Sequence, residues 1–263
     1  MAKRNIGRGR YCFLFAILCC LSCVGSLHAA SDTTTNGQQI KDGHTLVSAG
    51  GHFELGFFSP NLNSKNRYVG IWYKRITVKT VVWVANRDRP LVDSSGILMI
   101  NNEGNLVVMD WRGGCIMITY GSATSSNTSV KLSDDGNLIF VEENSDKQVV
   151  LWQSFDYPTD TFLPGMKLGR NLKSKQNRLL TSWRSADDPS SGVYTFGADP
   201  NGTTQFFIWQ EGVVYWSSGD FKDNTFSLTP KSGYRKKKKV AMGNCGNSSS
   251  GSVSCGCLSV SSL

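Results

Sequence analysis

Few side chains in this 263-residue sequence are of a kind and spacing that could do covalent chemistry. Past the first 30 residues only two histidines remain, His44 and His52, and neither sits at H-E-x-x-H or comparable spacing. No metal site and no cofactor is therefore expected. There is no G-x-S-x-G elbow, no glycine-rich phosphate loop and no V-A-I-K, H-R-D or D-F-G run, so hydrolase and kinase chemistry are not expected of this chain. The adjacent acids Asp134/Asp135, Glu142/Glu143 and Asp187/Asp188 would point to opposite faces of a strand, the wrong arrangement for a glycosidase acid–base pair. What remains is two rows of residues spaced two apart: Asn101, Glu103, Asn105 and Val107, then Ser133, Asp135, Asn137, Ile139 and Val141. Residues two apart share one strand face, so each row can present a carboxylate beside an amide. D-G and Asn are also what a tight turn entering a strand needs for its backbone, and that reading is preferred for Asp135-Gly136-Asn137.

The elements carrying these rows read as all-β. Short runs rich in Val, Ile, Phe, Tyr and Trp recur between Gly, Asn, Asp and Ser clusters, at 52–58, 68–74, 80–86, 105–110, 137–142, 149–155, 192–198, 204–210 and 213–218. Strand-length runs at this spacing, with no sustained helical period, indicate a sandwich, barrel or prism. GILMINNEGNLVVMD (96–110) and SVKLSDDGNLIFVE (129–142) superpose at an offset of 32 residues, which suggests one hairpin unit used more than once. Trp72, Tyr73 and Trp83, beside β-branched neighbours, are expected in the core. Trp152, Phe155 and Tyr157 are expected where two folded units join.

The formal net charge of +8 is concentrated at the two ends. Residues 1–30 hold four basic residues and no acid, residues 231–263 hold six and no acid, and the 200 residues between carry 18 basic against 20 acidic. That near-neutral body gives no reason to expect a nucleic-acid partner. At the N-terminus, basic residues to Arg10, an uncharged apolar stretch over 11–27 and small residues at Ala29, Ala30 and Ser31 have the form of a secretory leader, with no other segment long enough to span a membrane. A secreted, extracellular product is expected. Cys115, Cys245, Cys255 and Cys257 then enter a disulfide-permissive compartment, with the pairing left open among three possibilities. The N-x-S/T sequons at Asn127, Asn201 and Asn247 are candidate glycosylation sites. The run KSGYRKKKKV (231–240) and the Ser/Gly/Cys-containing end are expected to be an unstructured tail.

FELGFFSP (53–60), RYVGIWYKR (67–75), VVWVANRDRPL (81–91), EGNLVV (103–108) and DGNLIF (135–140) resemble the bulb-type lectin module of plant S-domain (G-type lectin) receptor-like kinases and S-locus glycoproteins. LWQSFDYPTDTFLPGMKLG (151–169), LTSWRSADDPSSGVYTF (180–196) and DPNGTTQFFIWQ (199–210) are similar to the S-locus glycoprotein region that follows it. The resemblance implies a β-prism II lectin domain over 31–159, between a signal peptide at 1–30 and a partial second lectin-like unit at 160–230, with the tail at 231–263. It also implies recognition, including recognition of pollen, through a glycan, peptide or protein ligand. Pairing with full-length receptor kinases, and a plasma-membrane location wherever a full-length receptor exists, follow from the same resemblance. Sugar-binding members carry Q-x-D-x-N-x-V-x-Y in each repeat. Here the rows Ser133, Asp135, Asn137, Ile139, Val141 and Asn101, Glu103, Asn105, Val107 are degenerate versions. The first copy in chain order, aligned as Ala49, Gly51, Phe53, Leu55 and Phe57, keeps no polar ligand. Weak or absent mannose binding is expected, since each lost hydrogen bond removes about 1–3 kcal/mol. A free mannose-binding lectin in defence, or a piece of a membrane receptor kinase, are the competing readings.

Overall fold

The structure, a computed structural model, describes residues 31–120, 123–144, 147–171, 173–223, 225–226 and 258–259. The leader-like stretch at 1–30, the basic run at 231–240, Asn247 and the cysteines Cys245, Cys255 and Cys257 lie outside the described residues. Three short strands come first: β1 (Thr33–Thr35), β2 (Gln39–Lys41) and β3 (Thr45–Val47). Each joins a different sheet. β3 pairs with β4 (Phe53–Phe58), which is followed by β5 (Tyr68–Tyr73) and β6 (Val81–Val84). β2 pairs with β7 (Ile97–Ile100), then β8 (Leu106–Met109) and β9 (Cys115–Met117). β1 pairs with β10 (Thr128–Leu132), then β11 (Leu138–Asn144) and β12 (Lys147–Gln153). The result is three four-stranded antiparallel sheets around one core, the prism that the resemblance implies.

Alternation along the strands supplies that core. Phe53, Leu55 and Phe57 of β4, Leu98 and Ile100 of β7, Leu106 and Val108 of β8, and Leu138 and Phe140 of β11 all turn inward into one cluster. Each such side chain contributes about 1.5–3 kcal/mol on leaving water. Trp83 is buried in the same cluster, Trp72 is buried against Phe58, and the half-buried Tyr73 stands 4.8 Å from Phe53. Trp152 and Phe155, expected at a junction between units, instead belong to the prism core, with the Trp152 ring edge-on to Trp83 at 5.9 Å. Their inward turn follows from β12 pairing directly with β11, which puts Trp152 opposite Phe140 on the buried face. Leu163 and Met166 also pack into this core, so the chain past residue 160 still lines the prism.

A 3-10 turn at Ser154–Asp156 leads into β13 (Thr161–Phe162), β14 (Gly169–Arg170) and β15 (Asn177–Arg178). A fourth antiparallel sheet follows: β16 (Leu180–Ser185), β17 (Asp188–Ala198), β18 (Phe206–Gln210) and β19 (Val213–Ser217). Its small core gathers Leu180, Phe196 and Ile208. The join between this sheet and the prism is made by residues of the VANRDRP segment. Asn86 is buried in the prism, accepting the Val69 N–H at 2.8 Å. The next residue, Arg87, donates to the carbonyls of Pro189 (2.8 Å), Thr181 (3.1 Å) and Ser182 (2.8 Å). Asp88 then accepts the backbone N–H of Ser191 at 2.8 Å. Across the same join Trp183 stacks on Phe58, ring centres 6.5 Å apart.

Candidate functional site

Each prism sheet opens on the same turn. Gly51, Gly104 and Gly136 donate their N–H to the carbonyls of Ser48, Asn101 and Ser133 at 2.7, 2.9 and 3.0 Å. Gly136 shows why the residue type is needed: its φ is +86°, and a Cβ there would lie 2.9 Å from both Leu163 and Phe53. These three turns fix the equivalence of the repeats. Ser48, Gly50, His52, Glu54 and Gly56 occupy the places of Ser133, Asp135, Asn137, Ile139 and Val141, so the first-copy alignment through Phe53, Leu55 and Phe57 is out by one residue. Those three aromatic and aliphatic side chains face the core, and the outward row beside them is His52, Glu54, Gly56 and Phe58.

The outward faces of the three sheets have diverged. On the first, Glu54 accepts the Thr45 hydroxyl at 2.8 Å and the Trp72 indole N–H at 2.9 Å, and Lys79 sits 3.9 Å over the Trp72 ring. Burial lowers the Lys79 pKa, with Glu54 acting against that shift. Trp183 packs against Phe58, Tyr68, Trp72 and Val84 of this face, which covers it. On the second sheet, register sets Met99 beside Val107 and Val107 beside Met117, with Met109 facing Cys115 in the next row. These side chains are apolar, and β2 edges them with Gln39 beside Met99 and Lys41 beside Ile97. Asn105 is buried there with its Oδ1 unpartnered, and Glu103 is exposed on the turn, where its N–H reaches the Asn101 side chain at 3.1 Å.

The third sheet keeps the polar row, but its amide is committed to the fold. Asn137 is 5% exposed and its Oδ1 accepts the Ser154 hydroxyl at 3.1 Å and the Phe155 N–H at 3.2 Å. Its Nδ2 donates to Gln153 Oε1 at 2.9 Å. Asp135 Oδ1 takes the Asn137 N–H at 3.0 Å and lies 2.6 Å from the Ser133 hydroxyl, leaving Oδ2 free. The turn reading of Asp135-Gly136-Asn137 describes this arrangement. Ile139 and Val141 continue the row away from the core-facing Leu138 and Phe140. On the neighbouring Asp134, hydrogen bonds from Ser48 and the Gly50 N–H hold the carboxyl below the usual range.

Beside this turn lies a cleft of about 680 Å³, lined by Asp135, Asn137 and Gln153 on the prism side. Its other side brings Lys167, Arg170 and Arg178 from β14, β15 and the segment before them. The sequence pattern had not joined these cations to the site, because no fixed spacing links residues 135–153 to 167–178. Asn127, ahead of β10, and Asn201, in the β17–β18 turn, are both exposed, and the Asn127 Nδ2 donates to the Glu143 carbonyl at 2.8 Å.

With that geometry in view, comparison with known proteins places the chain. The D-mannose binding lectin family matches residues 80–184. A G-type lectin S-receptor-like serine/threonine-protein kinase of Arabidopsis thaliana is 44% identical over 204 residues, 76% of this chain and 23% of that protein. The S-locus-specific glycoprotein S6 of Brassica oleracea is 42% identical over 202 residues, 76% of this chain and 46% of that protein. Over the matched region the chain is similar to the G-type lectin S-receptor-like kinases and the S-locus glycoproteins. It spans about a quarter of the length of the kinase relatives it matches. What this chain shares with them is the region that holds the lectin match, and the kinase signatures are not in its sequence. A solved lectin from Marasmius oreades covers 48% of this chain and 92% of its own at 15% identity, with a TM-score of 0.34, too loose a superposition to bear on the site. Among the described residues no helix is long and apolar enough to cross a membrane.

Proposed function

We propose that this chain is an extracellular, non-enzymatic recognition module that binds a peptide, protein or glycan through its diverged lectin frame, as the ectodomains of its family do. On this reading its mannose pockets are degenerate. The observation that supports this most directly is the Asn137 amide: its Oδ1 already accepts from Ser154 and Phe155 and its Nδ2 donates to Gln153, so a sugar hydroxyl donating to that oxygen would have to displace bonds that hold the fold. The covered first face and the second face, whose central row is Met99, Val107 and Met117, point the same way. A leader-like N-terminus and sequons on exposed turns support an extracellular location, and the S-locus glycoprotein relative supports a role in recognition signalling, including pairing with full-length receptors and pollen recognition. The test is isothermal titration of the full chain with mannose and manno-oligosaccharides. No saturation is expected up to about 10 mM ligand, equivalent to less than about 3 kcal/mol of binding. Micromolar binding that free mannose competes away would instead make the chain a mannose lectin and overturn this reading.

A further inference from the structure

The two walls of the cleft beside β11 differ in chemistry. On the prism wall, Asp135 keeps one carboxylate oxygen unused, and Gln153, whose Oε1 is taken by Asn137, keeps its Nε2 free. On the facing wall, Lys167 and Arg170 are exposed and unpaired, and Asn171, whose Oδ1 caps the following turn, keeps its Nδ2 free. Arg178 is neutralised by Asp156 at 2.6 Å, yet its Nε–H is buried with no acceptor. Setting that pair aside leaves two cations against one carboxylate. Phe155 and Leu168 add an apolar strip, and two glycines, Gly165 and Gly169, keep side chains out of the space.

The geometry points to an acidic saccharide, an oligomer of hexuronate rings, as the ligand class of this cleft. Each such ring offers a carboxylate for Lys167 or Arg170 and hydroxyls that donate to Asp135 and accept from Gln153 and Asn171. The apolar ring face matches Phe155 and Leu168. An acidic peptide would satisfy the cations but would set its carboxylates against Asp135 with few hydroxyl donors to offset the repulsion. This inference rests on the recognition reading above and assigns it a ligand chemistry.

The experiment titrates the full chain with an oligogalacturonate, with a neutral manno-oligosaccharide and with a polyglutamate peptide. The cleft variant is Lys167→Ala with Arg170→Ala. The comparison variant replaces Lys236, Lys237, Lys238 and Lys239 with Ala, because that basic run would attract any polyanion. Oligogalacturonate is expected to bind the unaltered chain and the tail variant alike, and at least about 10-fold more weakly to the cleft variant, consistent with loss of charge-assisted contacts. Both cleft positions are exposed, so an unchanged melting temperature accompanies that loss. Binding that survives in the cleft variant, or that disappears in the tail variant, overturns the assignment, as does polyglutamate binding as tightly as oligogalacturonate. Absence of any oligogalacturonate binding overturns it too while leaving the recognition reading intact, whereas tight, competable mannose binding is what would sink that reading.

Discussion

Replacing Arg87 with Ala should loosen the join between the prism and the fourth sheet. Its guanidinium makes three bonds at 2.8, 3.1 and 2.8 Å to carbonyls of β16 and β17, and a longer one of 3.5 Å to the Ser190 carbonyl. Burial pulls its pKa down, opposed by Asp160, Asp88 and Asp188, and the group stays charged. Hydrogen bonds from a charged donor contribute about 1.5–3 kcal/mol each, so the three give an upper bound of roughly 4.5–9 kcal/mol. Water will reach some of the released carbonyls, because Arg87 is only half-buried, and a net loss of about 3 kcal/mol is expected. For a unit of this size that lowers the melting temperature by about 6–12 °C. Native-state hydrogen exchange should locate the damage: amides of β16 and β17 lose protection while those of β4 and β5 keep theirs. Arg87→Lys retains the charge but cannot reach three carbonyls at once, and should recover less than half. A shift below about 2 °C, or loss of protection spread evenly over the prism, would refute the clamp.

Two further outcomes follow from buried polar groups. Asn137→Ala should destabilise the chain by about 2–4 kcal/mol, because the Ser154 hydroxyl and Phe155 N–H lose their buried acceptor; a denaturant midpoint within error of the parent would contradict the strut role. Glu142 is buried, which would raise its pKa, but hydrogen bonds from Ser125 and Thr124 outweigh this and hold it below the ordinary range. A folded-state pKa below the unfolded one means the contribution is complete above the ordinary glutamate value of about 4.3 and fades as pH falls through the lowered value. Melting curves should therefore show Glu142→Gln less stable at neutral pH, with the gap narrowing on acidification; a gap independent of pH would count against it.

The long strands were legible in the sequence, since β4, β5, β11 and β17 each combine β-branched or aromatic runs with flanking turn residues. The 32-residue repeat likewise foretold two of the three sheets. β1, β2 and β3 were not legible: three residues carry too little periodicity, and only their partners at β10, β7 and β4 make them strands. The first copy slipped by one residue because its turn, Ser48-Ala-Gly-Gly-His52, lacks the Asp/Glu-Gly-Asn marker of the other two. Arg87 and Asp88 stood out only as part of a family resemblance. Their partners lie about 100 residues along the chain, at Thr181–Ser191, and no local pattern reports a contact of that range.

The lacing of β1, β2 and β3 into three separate sheets has a consequence for biosynthesis. Thr33 waits for Lys131, and Gln39 waits for Met99, so no sheet's opening strand can be completed by its immediate neighbours in the chain except β3. During synthesis, β4 to β6 can close with β3 early, but the edge for β1 exists only after residues 128–132 have emerged. Such long-range pairing slows folding and leaves β1 and β2 as unpaired templates for tens of residues of elongation. A tag or deletion close to Thr33 would therefore leave the last sheet to be made without its outer strand, and a defect placed at the start of the polypeptide would surface as aggregation of its middle.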